Sequence, residues 1–270
     1  MLHAVRNEPL AADFYEGLKR YHNVDGAGNG GGVKGVQLPP GCKDVEQLDR
    51  DMRDLSDYLA TQPSIKYLEA PKSPEARAAS RKQIAQAARA EVSGSVKQNI
   101  NAAIACIQNP MIAAVVRQAM DAAPAEFFTA PSSSTGKYHP ADEINPGGLA
   151  LHSLRDVRMG EMLCDYYGVE GLEKDEILGA LLLHDIKKGG DPWNKYDKAH
   201  GPNGAKWLGE VWGEDHKCNA SCNHMRELVG KHMAQWNFPE PSPPSDLANQ
   251  IVSYADYLGS RDNVYVDVPK

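Results

Sequence analysis

Apolar positions recur at helical spacing over most of this chain. Val45, Leu48, Met52, Leu55 and Leu59 follow an i, i+3, i+7 rhythm, which predicts an amphipathic helix over 44–60 that Pro63 keeps from running further. A longer helix is predicted between Pro74 and Gln108. Ile84, Ala88, Val92, Val96, Ile100, Ile104 and Ile107 share one face, and Arg77, Arg81, Arg89 and Lys97 lie among its solvated positions, with Ser93-Gly94 as a point for a kink. Asn109-Pro110 supplies an N-cap and a first-turn proline for a helix bearing Ile112, Val115, Val116 and Met120, which Ala123-Pro124 ends. After Gly148 the pattern is helical almost to the end. One helix runs from Leu149 to Tyr167 and stops at Gly168. The next, Glu173 to Ile186, is apolar nearly all round in its second half, as expected at the centre of a bundle. Helices near Gly204–Trp212, Asn223–Ala234 and Ser245–Leu258 follow, the last with Ser245 as N-cap and Gly259 as stop. Strand signal is confined to the alternation Val264, Val266, Val268. The predicted fold class is all-α, without internal repeats.

Two glycine-containing loops invite a phosphate-binding reading. The stretch Gly26–Gly35 follows no apolar strand and opens no helix, so it reads as a flexible loop. In the loop 129–147, Gly136-Lys137 has half of a P-loop. Pro131 stands where the first motif glycine belongs, and Tyr138 where Ser or Thr must bind magnesium. What remains is a hydroxyl-rich loop with Lys137, Tyr138 and His139 that leads directly to His152.

With 41% hydrophobic residues the chain has the material for a real core, and a net charge of −7 argues against broad binding to duplex nucleic acid. Five scattered cysteines read as reduced thiols. No apolar signal core opens the sequence and no apolar run is long enough to span a bilayer, so a cytoplasmic protein without membrane contact is expected.

The candidate chemistry lies in His152, in the adjacent His184-Asp185 at the end of the most apolar helix, and in His200, His232 and Asp256. A carboxylate at the end of such a helix is costly unless it is paired or metal-bound. Mixed imidazole and carboxylate donors suit Mn, Fe, Co, Ni or Zn, with Mg possible where carboxylates dominate. Cys218, Cys222 and His224, with His216 nearby, offer a second metal reading as a structural zinc, but their spacing fits a finger poorly.

The ordered set His152, His184-Asp185, His200, His232, Asp256, with Lys188 after the pair and the ending Ala255-Asp256-Tyr257, resembles the HD-domain superfamily of metal-dependent phosphohydrolases over residues 129–262. The segments Lys137-Tyr138-His139-Pro140, Gly147-Gly148-Leu149-Ala150-Leu151-His152 and Lys231 to Trp236 are similar to the HD domains of bacterial three-prime exoribonucleases and of phage HD hydrolases. The chain departs from the pattern at Lys187, where a glycine is usual. The resemblance implies an HD bundle at 129–262, a helical extension at 1–128 and a tail at 263–270. It implies one or two divalent ions held by the six ligands, with Asp185 bridging and orienting the attacking water. Lys188, Lys137 and Arg155 or Arg158 would then neutralise phosphate charge, His139 would protonate the leaving oxygen, and Tyr138 and Trp236 would stack a base. The expected substrate is a phosphate ester of a nucleotide or short oligonucleotide. The same ligand order also allows a di-iron oxygenase, and an HD fold can serve as a non-catalytic nucleotide sensor.

Overall fold

The computed structural model describes residues 6–26, 35–67, 96–133, 139–194, 196–213 and 219–268. Helix dominates, as the periodicity predicts. The first helix, α1 (Glu8–Tyr21), falls where no element was predicted. Its signals are local. Asn7 Oδ1 accepts from the Leu10 amide (3.2 Å), Pro9 sits in the first turn, and Leu10, Phe14, Leu18 and Tyr21 form a buried stripe. This stripe packs on α2 (Val45–Ala60), whose N-cap Asp44 accepts from the Gln47 amide at 2.8 Å. The buried face of α2 begins at Leu48, because Val45 is 44% exposed.

A short strand β1 (Ile65–Tyr67) pairs antiparallel with β2 (Val264–Val266), Ile65 opposite Val266 and Tyr67 opposite Val264. The expected C-terminal tail therefore supplies a strand, and Val268 lies beyond it. Of the predicted 74–108 helix the described part, α3, covers 96–106 and buries Val96, Ile100 and Ile104. The positions before it, with Arg77, Arg81 and Arg89, lie outside the described residues, as does most of the Gly26–Gly35 stretch.

The bundle consists of α4 (Pro110–Asp121), α5 (Gly148–Tyr167), α6 (Gly171–Leu183), α7 (His200–Trp212), α8 (Ala220–Lys231) and α9 (Leu247–Gly259). Asn109 caps α4 as predicted, accepting from Met111 N and Ile112 N. Helix α6 packs against α4, α5, α8 and α9 and is buried from Asp175 to Leu183, which makes it the central helix. It stops three residues short of the predicted end, so His184 is its C-cap and Asp185 begins a turn. The N-cap of α9 is Asp246 rather than Ser245. Its carboxylate accepts from Asn249 N at 2.8 Å, whereas Ser245 Oγ donates to that carboxylate and accepts only from the Asn249 side chain.

The N-terminal helices are fastened to the bundle by polar contacts. Tyr21 OH donates to Ser253 Oγ (2.8 Å), His22 Nε2 meets Tyr254 OH, Gln235 Nε2 donates to Tyr21 O (2.9 Å), and Arg261 pairs with Asp13 (3.1 Å). Phe14 is fully buried between these layers. Phe14→Ala should therefore cost about 3–5 kcal/mol in urea unfolding; a loss below about 1 kcal/mol would contradict a docked α1.

Candidate metal centre

The site is assembled from the ends of helices. The loop before α5 is stitched down by Ser132 N to Glu143 O (2.9 Å), Gly147 N to Thr129 O (3.1 Å) and Leu149 N to Ala130 O (3.0 Å). Gly147 takes φ +84°, and a Cβ on Gly148 would lie 1.7 Å from Glu143 O. Only this glycine pair lets the loop lie against the helix start, which puts His152 one turn inside α5. His184 and His232 are the C-caps of α6 and α8, His200 opens α7, and Asp256 sits in the last turn of α9.

All six predicted metal-ligating residues meet at one place. His152 Nε2 lies 3.2 Å from Asp256 Oδ1 and 3.7 Å from Asp185 Oδ2. His184 Nε2 lies 3.5 Å from Asp185 Oδ2 and 3.9 Å from Asp256 Oδ1. Asp185 Oδ1 is 3.1 Å from His200 Nε2 and 3.8 Å from His232 Nε2. All but Asp256 are at most 2% exposed. A seventh group, Asp156 of α5, stands 3.1 Å from His152 Nε2 and 3.5 Å from His184 Nε2.

Three of the imidazoles share one anchoring device. His184 Nδ1 donates to Leu181 O, His200 Nδ1 to Asp197 O and His232 Nδ1 to Val229 O, each at 2.7 Å. A carbonyl only accepts, so Nδ1 carries the hydrogen and each neutral ring aims an Nε2 lone pair inward. The Nε2 atoms of His200 and His232 are 3.1 Å apart. Two lone pairs at that distance repel unless a cation or a shared proton lies between them. Asp156 Oδ1 and Oδ2, His184 Nε2 and Asp185 Oδ1 are also buried without a well-formed hydrogen bond. These orphaned donors fit a divalent metal.

The electrostatics agree. Burial, followed by the neighbouring rings of His184 and His200, pushes the His232 pKa down to about 3, so this ring is a neutral donor. Burial opposes ionisation of Asp185 as well, but Lys188 and His184 hold it well below the usual carboxylate range. For His152 burial acts downward, and the Asp156, Asp256 and Glu143 carboxylates overcome it and raise the pKa well above normal. Asp156 itself is pushed well up, chiefly by burial.

The remaining predicted site residues divide. Lys188 bonds Asp185 Oδ2 directly and is 14% exposed. His139 is close by, its ring 4.7 Å from that of His152 and its Nδ1 2.8 Å from Glu143 Oε2. Arg155 is 1% exposed and fully engaged, with bonds to Asp142 (2.9 and 2.5 Å), Glu143 (2.7 Å) and Val266 O (3.3 Å). That arrangement leaves no guanidinium edge for a substrate. Arg158 pairs with Glu161 at 2.6 Å, about 200° around α5 from Asp156. The Trp236 ring stacks on Tyr257 (5.4 Å, 5°) and meets Tyr21 edge-on. Lys137 and Tyr138 lie outside the described residues, as do Cys218 and His216. Cys222 is buried and His224 Nδ1 is taken by Glu176 at 2.6 Å.

Sequence reasoning missed Asp156, Glu143 and Tyr196. Glu143 is fully buried and faces His139, His152 Nδ1 (3.4 Å) and Arg155. The Tyr196 ring lies 5.5 Å from His200 at the surface. A cavity of about 600 Å³ opens beside Lys188, walled by Pro131, Ser133, Ile144, Leu149, Trp193 and Asn194.

Residues 149–260 match the family model for the HD domain. The match leaves out the loop that carries His139 and Glu143. No curated protein and no solved structure matches the chain.

Arg155 balances the buried charge of Glu143. Arg155→Met should therefore cost about 3–5 kcal/mol in chemical denaturation, because one partner of a buried pair is removed. A change within about 0.5 kcal/mol, as at a surface position, would contradict this role.

Proposed function

We propose that this chain, which belongs through residues 149–260 to the HD-domain superfamily of metal-dependent phosphohydrolases, cleaves a phosphate ester of a nucleotide or short oligonucleotide. The observation that carries the reading is the convergence of four inward-facing imidazoles on the buried Asp185, with Lys188 joining that carboxylate to an adjacent cavity.

In this reading His152, His184, Asp185 and Asp256 would hold one ion, and His200 and His232 would complete a second site together with Asp185. Divalent ions bound there supply Lewis-acid polarisation of a phosphoryl oxygen and lower the pKa of a water to about 7. Asp185 would orient the attacking water. Lys188, fixed by Asp185, presents a positive charge to the phosphate from the cavity side. His139 is bound through Nδ1 to Glu143, and burial lowers its pKa. That state suits accepting a proton at Nε2, which favours a proton acceptor over the donor expected from sequence.

The cavity has the size range of small-molecule sites, and the Trp193 indole offers its wall as a stacking surface for a nucleobase. The exposed Tyr196, beside His200, is a second candidate, and both replace Trp236, one face of which is already stacked. Lys137 and Tyr138 remain the loop's candidates for phosphate and base.

The test is release of phosphate or nucleoside from mononucleotides, cyclic nucleotides and short oligonucleotides with Mn²⁺, Mg²⁺, Co²⁺ or Ni²⁺. Asp185→Asn should lower turnover by about 10²–10³-fold or more while helical circular dichroism is unchanged. Turnover of the variant at near wild-type rate, or no hydrolysis of any phosphate ester by the metal-loaded wild type, would contradict the proposal.

A further inference from the structure

Asp156 follows His152 by one helical turn, so both side chains leave the same face of α5. It is fully buried, and neither of its carboxylate oxygens makes a hydrogen bond. Burying an unpaired carboxylate is strongly unfavourable, and among the described residues no lysine or arginine pairs with it: Arg155 turns to Asp142 and Glu143, and Lys188 to Asp185. Its Oδ2 lies 3.1 Å from His152 Nε2 and 3.5 Å from His184 Nε2, while Asp256 Oδ1 lies 3.2 and 3.9 Å from the same two nitrogens. Donors about 2.1 Å from a tetrahedral ion stand roughly 3.4 Å apart. His152, Asp156, His184 and Asp256 thus have the spacing of a coordination shell, one ligand atom of each lying within 4.8 Å of all the others. The end of α9 is shaped to the same group, since a Cβ on Gly259 would lie 2.2 Å from Asp156 Oδ1.

We propose that Asp156 is itself a metal ligand, completing one subsite with His152, His184 and Asp256. Asp185 then bridges to a second subsite with His200 and His232. The inference rests on the metal-centre reading above and adds a seventh ligand to it. Its chemical consequence is a first subsite with three carboxylates, counting the bridging Asp185, to two imidazoles, an oxygen-weighted donor set of the kind that suits Mn²⁺ or Fe²⁺.

The experiment is Mn²⁺ binding to the full-length metal-free protein, followed by elemental analysis of the bound ion and by the metal-induced rise in melting temperature. It compares wild type, Asp156→Asn and His232→Ala. Asp156→Asn should bind Mn²⁺ at its subsite at least about tenfold more weakly and lose one ion per chain at limiting Mn²⁺. Its metal-induced rise in melting temperature should shrink, while the metal-free variant melts no lower than wild type. His232→Ala should keep the ion that Asp156→Asn loses. Gly259→Ala, which crowds the Asp156 carboxylate, should weaken Mn²⁺ in the same direction as Asp156→Asn.

Wild-type Mn²⁺ affinity in Asp156→Asn would overturn the inference alone, as would a metal-free variant that melts well below wild type, because Asp156 would then be a structural partner of the histidines. Wild-type protein that binds no Mn²⁺ would overturn the metal centre and this inference together. Mn²⁺ binding that depends on Asp156 in a protein that hydrolyses no phosphate ester would support the inference and overturn only the reaction.

Discussion

Three carboxylates and four imidazoles share a space almost sealed from water, and three of the imidazoles are held by backbone carbonyls that can only accept. Asp156, Asp185 and Asp256 repel one another in a medium of low dielectric, and the carbonyls that fix His184, His200 and His232 turn every lone pair toward the same point. Such a cluster needs positive charge at its centre. The surrounding carboxylates raise the pKa of His152 and of His184 against the opposing effect of burial, and a divalent cation answers the same negative charge with better geometry. Five helices contribute a residue, so this one requirement sets where α5 to α9 start, stop and cross.

Around this cluster the protein builds in layers. Arg155 joins the loop before α5 to strand β2 through Asp142, Glu143 and Val266 O, and Glu143 in turn touches His139 and His152. The end of α1 grips α9 at Ser253 and Tyr254, three and two residues before Asp256. The N-terminal helices thus steady the helix that carries Asp256. The apolar α6 at the centre gives the His184-Asp185 pair its rigid platform, and Lys188 connects that platform to the cavity.

Most of this was legible in residue order. The His184-Asp185 pair after a continuous apolar run, with histidines and an aspartate in order around it, identified the residues that converge, because helix ends fixed by backbone geometry leave little freedom in where their caps point. Other parts were not legible, for physical reasons. Arg155-Asp156 looks like an ordinary surface pair along the chain, and only the burial of that face of α5 separates the arginine's structural partners from the orphaned aspartate. Glu143 comes from an aperiodic loop whose course depends on Gly147-Gly148. Strand β1 is three residues long and exists only because β2 lies beside it. Helix α1 did carry a signal, Asn7 and Pro9 before a Leu10, Phe14, Leu18 stripe. It was obscured by the glycine-rich stretch that follows. At the start of α9 Ser245 and Asp246 both suit a cap, and the carboxylate one residue later wins the Asn249 amide.

The central claim, that the seven converging side chains exist to hold divalent metal, is tested most directly by anomalous diffraction from crystals soaked in Mn²⁺ and collected at the manganese edge. The account predicts an anomalous peak among His152, Asp156, His184 and Asp256, with a second beside His200 and His232 bridged by Asp185. Well-ordered crystals in millimolar Mn²⁺ with no peak in the cluster, or with manganese only elsewhere on the protein, would contradict it.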